Sequence, residues 1–376
     1  MSRRSSSRTP VDYSGVDVDE LSACVHGNLP KVAGLVLARA AKAAHRTGGG
    51  GSTGQHEPRE AGSDIPGFDP DRDSSVGLPV IVIAGPTGVG KSELAELVAA
   101  RCGAEIVSAD SMQVYRHMDI GTAKVLPDDR GVPYHCIDIV DPGDAYSAAL
   151  YQRDAREAIA GIRARGRNVV VCGGTGLYIR AALDDMEFPK GEQVGNPVRQ
   201  EYERYAEENG PEALHSLLRE RDPESAALIH PNNVRRVVRA LEMLDDGKRY
   251  CEQTAGMKEY SPSIDAIYAG LTMETSNLYA AIDARVEGMM RAGLLDEVRW
   301  LVDNGYRDAM TSMQAIGYKE LLGVLDGSSS LEEAVEAIKR GTRRYSKRQR
   351  TWFRRDPRYV WYGVDSRDGK IEGQRP

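Results

Sequence analysis

Residues Gly85 to Ser92 read Gly-Pro-Thr-Gly-Val-Gly-Lys-Ser, the GxxxxGKS pattern of a phosphate-binding loop. The pattern constrains the fold because it works only between a strand and a helix. Here Pro79 to Ala84 is an apolar run suited to a central parallel strand, and Glu93 to Arg101 reads as a helix. With both flanks in place, a chance glycine-rich turn is the poorer reading. The glycines let backbone N–H groups turn toward phosphate oxygens, and the helix N-terminus adds partial positive charge. Lys91 supplies a full charge, and the Ser92 hydroxyl can ligate Mg²⁺. Gly85, Pro86, Thr87, Gly88, Val89, Gly90, Lys91 and Ser92 are therefore candidate diphosphate- or nucleotide-binding residues, with Ser92 the candidate metal ligand. The loop specifies a di- or triphosphate with Mg²⁺ and does not specify ATP.

The surrounding pattern predicts an α/β fold. Ala104 to Ser108, His135 to Val140 and Asn168 to Cys172 read as further strands, and Asp265 to Leu271 as a later return to the same sheet. Tyr151 to Arg165 has helical periodicity and is ended by Gly166. Strands alternating with helices imply a P-loop NTPase-like parallel sheet flanked by helices. The core is assigned to 78–189 and 262–365, the latter helical from Ser276 to Trp352. Residues 190–261 are almost wholly helical and polar, which predicts a helical insertion domain. Residues 1–77 open on Ser/Arg, carry a glycine run at 48–51 and continue in Pro, Asp, Gly and Ser. Such a segment is expected to be a disordered extension, with at most a short helix over Val32 to Ala44. Residues 366–376 are expected to be a flexible tail.

The formal net charge of −7 excludes a protein that binds nucleic acid through overall basicity, so such contact must come from local clusters. Five scattered cysteines without a CxxC pair suggest neither a disulfide framework nor zinc, and fit a cytoplasmic location. No apolar run approaches the ~20 residues of a membrane span.

Two further turns carry chemistry. Asp110 follows the second strand, where a carboxylate points into the crevice that binds ligands in such sheets. It suits a general base or a second-shell Mg²⁺ ligand, and equally an ordinary helix N-cap. Gly173-Gly174-Thr175-Gly176 leaves the next strand at the same sheet edge. Thr175 could line the crevice, although an ordinary strand-to-helix turn is the better reading of the pattern alone. Two basic clusters stand against the negative total. Arg235 and Arg239 are four apart and share a helix face, while Val234, Val237, Val238 and Leu241 can face a core. Arg340 to Arg358 holds nine Lys/Arg and a single acid, interleaved with Tyr345, Trp352 and Phe353, a combination suited to phosphates and unstacked bases.

Together these motifs resemble the tRNA dimethylallyltransferases (tRNA isopentenyltransferases). The resemblance spans about 79–363 and rests on GPTGVGKS, VSADSMQVYRHMDIGTAK, DPGDAYSAALYQRDA, CGGTGLYI, IHPNNVRRVVRALE, QAIGYKE and KRQRTWFRR in this order. It implies transfer of a dimethylallyl group from dimethylallyl diphosphate to N6 of the adenosine 3′-adjacent to the anticodon (position 37 of tRNA). The tRNAs concerned read codons starting with U, and diphosphate is released. It implies Mg²⁺ as cofactor and the anticodon stem-loop as partner. A monomer is the simplest expectation for an enzyme that wraps tRNA, and no membrane partner is expected. By resemblance, Asp110 is the base acting on N6, Thr175 the channel threonine, and Arg285 a diphosphate contact. Ser111, Met112 and Gln113, with Asp110 and Thr175, then belong to the tRNA-binding set. So do Arg199, Arg235, Arg236, Val237, Val238 and Arg239, and Gln314, Ala315, Ile316, Gly317, Tyr318 and Lys319. Ala281 stands where many relatives have an arginine. The alternatives are a P-loop kinase of a nucleoside or small metabolite, and a non-catalytic, nucleotide-gated RNA-binding protein. Neither uses all of the loop, Asp110, Thr175 and the basic segments.

Overall fold

The computed structural model describes residues 12–47, 77–188, 196–256 and 259–366. The chain divides into two units, one of 1–146, 150–183 and 264–376 and a smaller one of 147–149 and 184–263.

The larger unit is built on a parallel sheet of six strands in the order β3-β2-β4-β1-β5-β6. The strands are β1 (Val80–Ala84), β2 (Ala104–Ser108), β3 (Tyr134–His135), β4 (Asn168–Gly173), β5 (Ala266–Thr272) and β6 (Tyr359–Gly363). β1 is Val-Ile-Val-Ile-Ala with every residue buried, the sequence of a strand covered on both faces. Because β4 lies between β2 and β1, the turns leaving these three strands emerge side by side at one sheet edge. They are the phosphate loop after β1, Asp110 after β2 and the Gly-Gly-Thr-Gly turn after β4.

Two expectations for this unit are corrected. The strand expected over His135 to Val140 is confined to Tyr134–His135, because Cys136 (φ 58°) and Asp138 (φ 56°) take left-handed backbone that cannot continue a ladder. The N-terminal extension, expected to be disordered, contains helix α1 over Val18–Thr47. Leu21, Val25, Leu29, Val32, Val36, Ala40 and Ala44 form one apolar stripe in the same core as Leu94, Val98, Leu278 and Ile282. Polar ties lock the helix in place. Asn28 Nδ2 donates to the carbonyls of Val364 and Ser366 at 3.0 Å each, and Arg39 Nη1 donates to the Tyr268 carbonyl at 2.6 Å. The tail assignment from 366 therefore begins on a bonded residue, while 367–376, with 1–11 and 48–76, lie outside the described residues. By length and hydropathy Val18–Ala44 would pass for a membrane span, but half of that window is buried inside this domain.

Helices α2 (Lys91–Cys102), α3 (Ala148–Ala164) and α4 (Gly176–Leu183) follow the strands as crossovers. The smaller unit is all helical: α5 (Pro197–Asn209), α6 (Pro211–Arg221), α7 (Pro223–Ala227), α8 (Val234–Asp245) and α9 (Tyr250–Gly256). Its core is Leu214, Leu218, Ile229, Val237, Val238 and Leu241. The expected insertion 190–261 falls within it, the observed unit running from Asp184 to Ser263. The chain then returns through β5 to α10 (Thr275–Arg291), α11 (Leu294–Asp303), α12 (Tyr318–Leu325) and the long α13 (Leu331–Phe353). α13 starts from a Ser330/Glu333 capping box, which satisfies its first amides.

Candidate active site and nucleic-acid interface

The phosphate loop runs from β1 into α2. Gly90 sits at the helix N-cap with φ 87°, a left-handed value that favours glycine there. α1 stands behind this point: a Cβ on Gly90 would lie 3.4 Å from Val25 Cγ1 and 3.5 Å from Leu29 Cδ1. Lys91 Nζ donates to the Pro86 carbonyl at 2.7 Å, folding the side chain back over its own loop. Burial lowers the Lys91 ammonium to about 8; the nearby Arg285 pulls in the same direction, whereas Asp110 opposes it. Burial also pulls Arg285 down, again against the charge of Asp110. Lys91, Arg285 and Asp110 therefore sense one another, and the local balance of two cations and one anion suits an anionic ligand. Ser92 is exposed at the first turn of α2.

The residues fit Mg²⁺ in one particular way. No cluster of three or more His, Cys, Asp or Glu able to hold a metal occurs among the described residues. The ion would therefore take Ser92 Oγ and oxygens of the bound diphosphate, consistent with the preference of Mg²⁺ for few protein ligands plus substrate phosphates.

Asp110 opens an Asx turn, its Oδ1 accepting from Met112 N–H at 2.9 Å. The turn uses one carboxylate oxygen, so this N-cap-like bond does not by itself occupy the whole carboxylate. Thr175 is bound into this turn, since its Oγ1 accepts from Ser111 N–H at 3.1 Å and its N–H donates to the Ala109 carbonyl at 3.1 Å. Tyr345 on α13 joins the group. Burial, with the charge of Asp110 second, pushes its hydroxyl up to about 12, against hydrogen bonds with Thr175 and Gln349. The structure thus brings together Asp110, Ser111, Thr175, Lys91 and Arg285. Ala281 is half-buried against the main core, and the position contributes packing where an arginine would add charge.

Several sequence-predicted nucleic-acid contacts have other tasks. Gln113 is occupied internally, accepting from Ser108 Oγ at 3.0 Å and donating to the Thr122 carbonyl at 3.2 Å, while Met112 is half-buried. Tyr318 is fully buried, and its hydroxyl donates to Glu297 at 2.6 Å. The same Glu297 carboxylate accepts from the N–H groups of Asp119, Ile120 and Gly121 at 2.8, 2.7 and 3.0 Å. Tyr318 and Glu297 therefore anchor the long loop after Asp110. Around Tyr318, Gln314 and Lys319 are exposed, Ala315 and Ile316 half-buried and Gly317 buried.

In the smaller unit Val237 and Val238 are fully buried core residues, which leaves Arg235 and Arg236 as the exposed part of that segment. Arg199 bonds Glu203 at 2.9 Å and lies 3.7 Å from buried Glu242, which Arg239 also approaches at 3.5 Å.

The C-terminal basic cluster is partly neutralised. Arg343 pairs with Asp283 at 2.6 Å, and Arg358 pairs with Asp356 at 2.7 Å while lying over the Tyr268 ring. Arg344, Lys347, Arg348, Arg354 and Arg355 remain exposed beside the exposed Trp352 ring. Arg348 stacks over Tyr345 at 5.5 Å from the ring centroid. Sequence reasoning missed Gln349, Glu297 and Tyr13, and named Tyr345 only as an aromatic of the basic cluster. Tyr13 donates to Asp283 at 3.0 Å and so ties the N-terminal segment to the helix of Arg285.

Comparison with known proteins places this site in a family. Residues 113–356, more than half of the chain, match the family model described as IPP transferase, and residues 78–130 match one described as isopentenyl transferase. A tRNA dimethylallyltransferase of Bacillus licheniformis is 50% identical over 76% of this chain and 91% of its own length. That of Bacillus subtilis is 46% identical, again over 76% of this chain and 91% of its own length. Among solved structures, the tRNA isopentenylpyrophosphate transferase of Bacillus halodurans is 43% identical, with a TM-score of 0.55 over 76% of this chain and 90% of that one. A eukaryotic dimethylallyltransferase described as acting on tRNA is 30% identical, with a TM-score of 0.64 over 76% of this chain and 73% of that one. The matched residues all lie C-terminal to α1. The chain belongs to the IPP transferase family.

Proposed function

We infer that this protein is a tRNA dimethylallyltransferase. It transfers the dimethylallyl group of dimethylallyl diphosphate to N6 of the adenosine immediately 3′ of the anticodon in tRNAs reading codons that begin with U. The observation that carries the reading is that Asp110, at the turn next to the phosphate loop, lies within electrostatic range of the buried cations Lys91 and Arg285. A carboxylate that can accept a proton is thereby paired with cations suited to a departing anion. A kinase of small metabolites would share the loop, but relatives at 46–50% identity are tRNA dimethylallyltransferases.

The exocyclic amine of adenine is a poor nucleophile because its lone pair is delocalised into the ring. In the proposed reaction the N6–C bond forms as the bond between the prenyl carbon and its diphosphate oxygen breaks. The electrons of that bond leave with diphosphate. Asp110 takes the N6 proton. Lys91, Arg285 and amides of the loop stabilise the leaving diphosphate. Mg²⁺, held by Ser92 and the diphosphate, would add further neutralising charge there. Thr175, bonded to Ser111, fixes the turn that holds Asp110 against the crevice, which serves the proximity of the two reacting atoms. The target base must leave its stack to reach Asp110. The exposed Arg344, Lys347, Arg348, Arg354 and Arg355 with Trp352, and the exposed Arg235 and Arg236, suit the phosphates and bases of the anticodon stem-loop. The five free cysteines support a reducing, cytoplasmic setting.

The test is incubation of purified protein with unmodified tRNA, Mg²⁺ and dimethylallyl diphosphate, with mass analysis of digested nucleosides. N6-(dimethylallyl)adenosine is the expected product. Its absence, or ADP formation from ATP with a small acceptor, overturns the reading.

A further inference from the structure

We propose that Gln349 is a positioning residue that holds the phosphate loop and the Gly-Gly-Thr-Gly turn at a fixed separation, and thereby sets the affinity of the site for the prenyl diphosphate. This deepens the diphosphate reading of the loop and rests on it. Gln349 lies on α13, remote in sequence from both turns, and is only 5% exposed. Its Oε1 accepts from Thr87 N–H in the phosphate loop at 2.9 Å. Its Nε2 donates to the Gly174 carbonyl at 3.0 Å. One planar amide therefore bridges the two turns that emerge from neighbouring strands β1 and β4.

The chemistry of the bridge calls for an amide. It must accept from one turn and donate to the other across a single carbon, which a carboxylate, a hydroxyl or an amine cannot do in the same geometry. The bridge also removes Thr87 N–H from the donors available to a ligand, so phosphate must be met by the later amides of the loop. Gly174 fits the same account, since a Cβ there would overlap Gln349 Nε2. One turn further along α13, Trp352 Nε1 fills the space that a Cβ on Gly176 would need. One turn earlier, the Tyr345 hydroxyl lies close enough to Thr175 and Gln349 for both to bear on its ionisation. Tyr345, Gln349 and Trp352 form a stripe on one helix face that matches the turn residue by residue. Two of the three glycines in Gly-Gly-Thr-Gly are thus explained by helix contact.

The experiment uses the full chain and pyrophosphate with Mg²⁺ as the probe, read by titration calorimetry beside steady-state KM values for dimethylallyl diphosphate and tRNA. Gln349→Glu keeps the acceptor and sets a second oxygen against the Gly174 carbonyl. Gly174→Ala pushes the amide out from the other side. Each is expected to weaken pyrophosphate binding and raise the KM for dimethylallyl diphosphate about tenfold, the effect of one lost and one unsatisfied hydrogen bond. The KM for tRNA should stay within about twofold. In a Gln349→Ala background, adding Gly174→Ala should change little, because the clashing amide is gone. Should Gln349→Glu fail to fold, Gly174→Ala and the double variant carry the test. Pyrophosphate affinity within about twofold of wild type in both single variants overturns the proposal. So does an equal cost of Gly174→Ala in both backgrounds. Lys91→Ala separates the two ideas: if it too leaves pyrophosphate binding intact, the diphosphate reading of the loop fails first.

Discussion

Replacing Leu29 by alanine is expected to destabilise the protein by about 3 kcal/mol, whereas the same change at Leu35 costs no more than about 1 kcal/mol. Both leucines lie on α1, and the substitution removes the same atoms. Leu29 is fully buried against the phosphate-loop helix, while Leu35 is 40% exposed. Truncating Leu29 therefore loses transfer free energy and leaves a cavity beneath Gly90. At Leu35 no cavity forms, and the gain in helix propensity offsets part of the loss. The pair controls for expression, helix propensity and chemistry at once. Urea titration followed by far-UV circular dichroism measures both, and against a total stability of about 5–15 kcal/mol the difference is large. Equal, small shifts for the two variants would mean that α1 does not dock, and the corrected reading of the N-terminal extension would fall.

Asp110→Ala should reduce kcat at least about 100-fold with tRNA affinity changed less, and wild-type turnover would remove Asp110 as the base. Pyrophosphate affinity should decline as pH rises through about 8, because Lys91 in the free protein loses its proton there and a neutral amine no longer attracts the anion. A Lys91→Arg variant, whose cation persists, corrects for ionisation of pyrophosphate itself, and identical slopes in both proteins would refute the assignment. Arg348→Ala and Arg235→Ala should each weaken tRNA binding and lower the slope of log affinity against log salt by about one, read by filter binding across a salt series. Unchanged affinity across that series would mark them as solvated side chains.

The phosphate loop, strands β1, β2 and β4, and Asp110 at a strand end were legible because their signals are local. A glycine pattern, an apolar run and a charge beside it are contained within a few residues. α1 was not, because Gly27 and Pro30 argue against a helix when read locally, and Pro30 has no N–H to give to the preceding turn. The stripe from Leu21 to Ala44 compensates by burying itself against α2 and the sheet. Val237 and Val238 show the converse. Their helical periodicity already pointed inward, and their buried side chains follow it rather than the basic neighbours. Tyr318 has no local signal for its partner, because Glu297 lies on another helix and meets it only in the folded chain. The same holds for Arg343 with Asp283 and for Gln349 with Thr87. Counting charges along Arg340 to Arg358 could not distinguish the arginines spent on internal acids from those left exposed.

The central claim is that Gly85 to Ser92 holds a leaving diphosphate and transfers no phosphoryl group. The direct measurement is a reaction of tRNA with dimethylallyl diphosphate carrying oxygen-18 at the position that bridges carbon and phosphorus. Cleavage at carbon predicts that the label leaves in diphosphate, one equivalent for each N6-(dimethylallyl)adenosine formed. Label retained in an organic alcohol, or a phosphorylated acceptor in place of the prenylated base, would contradict it.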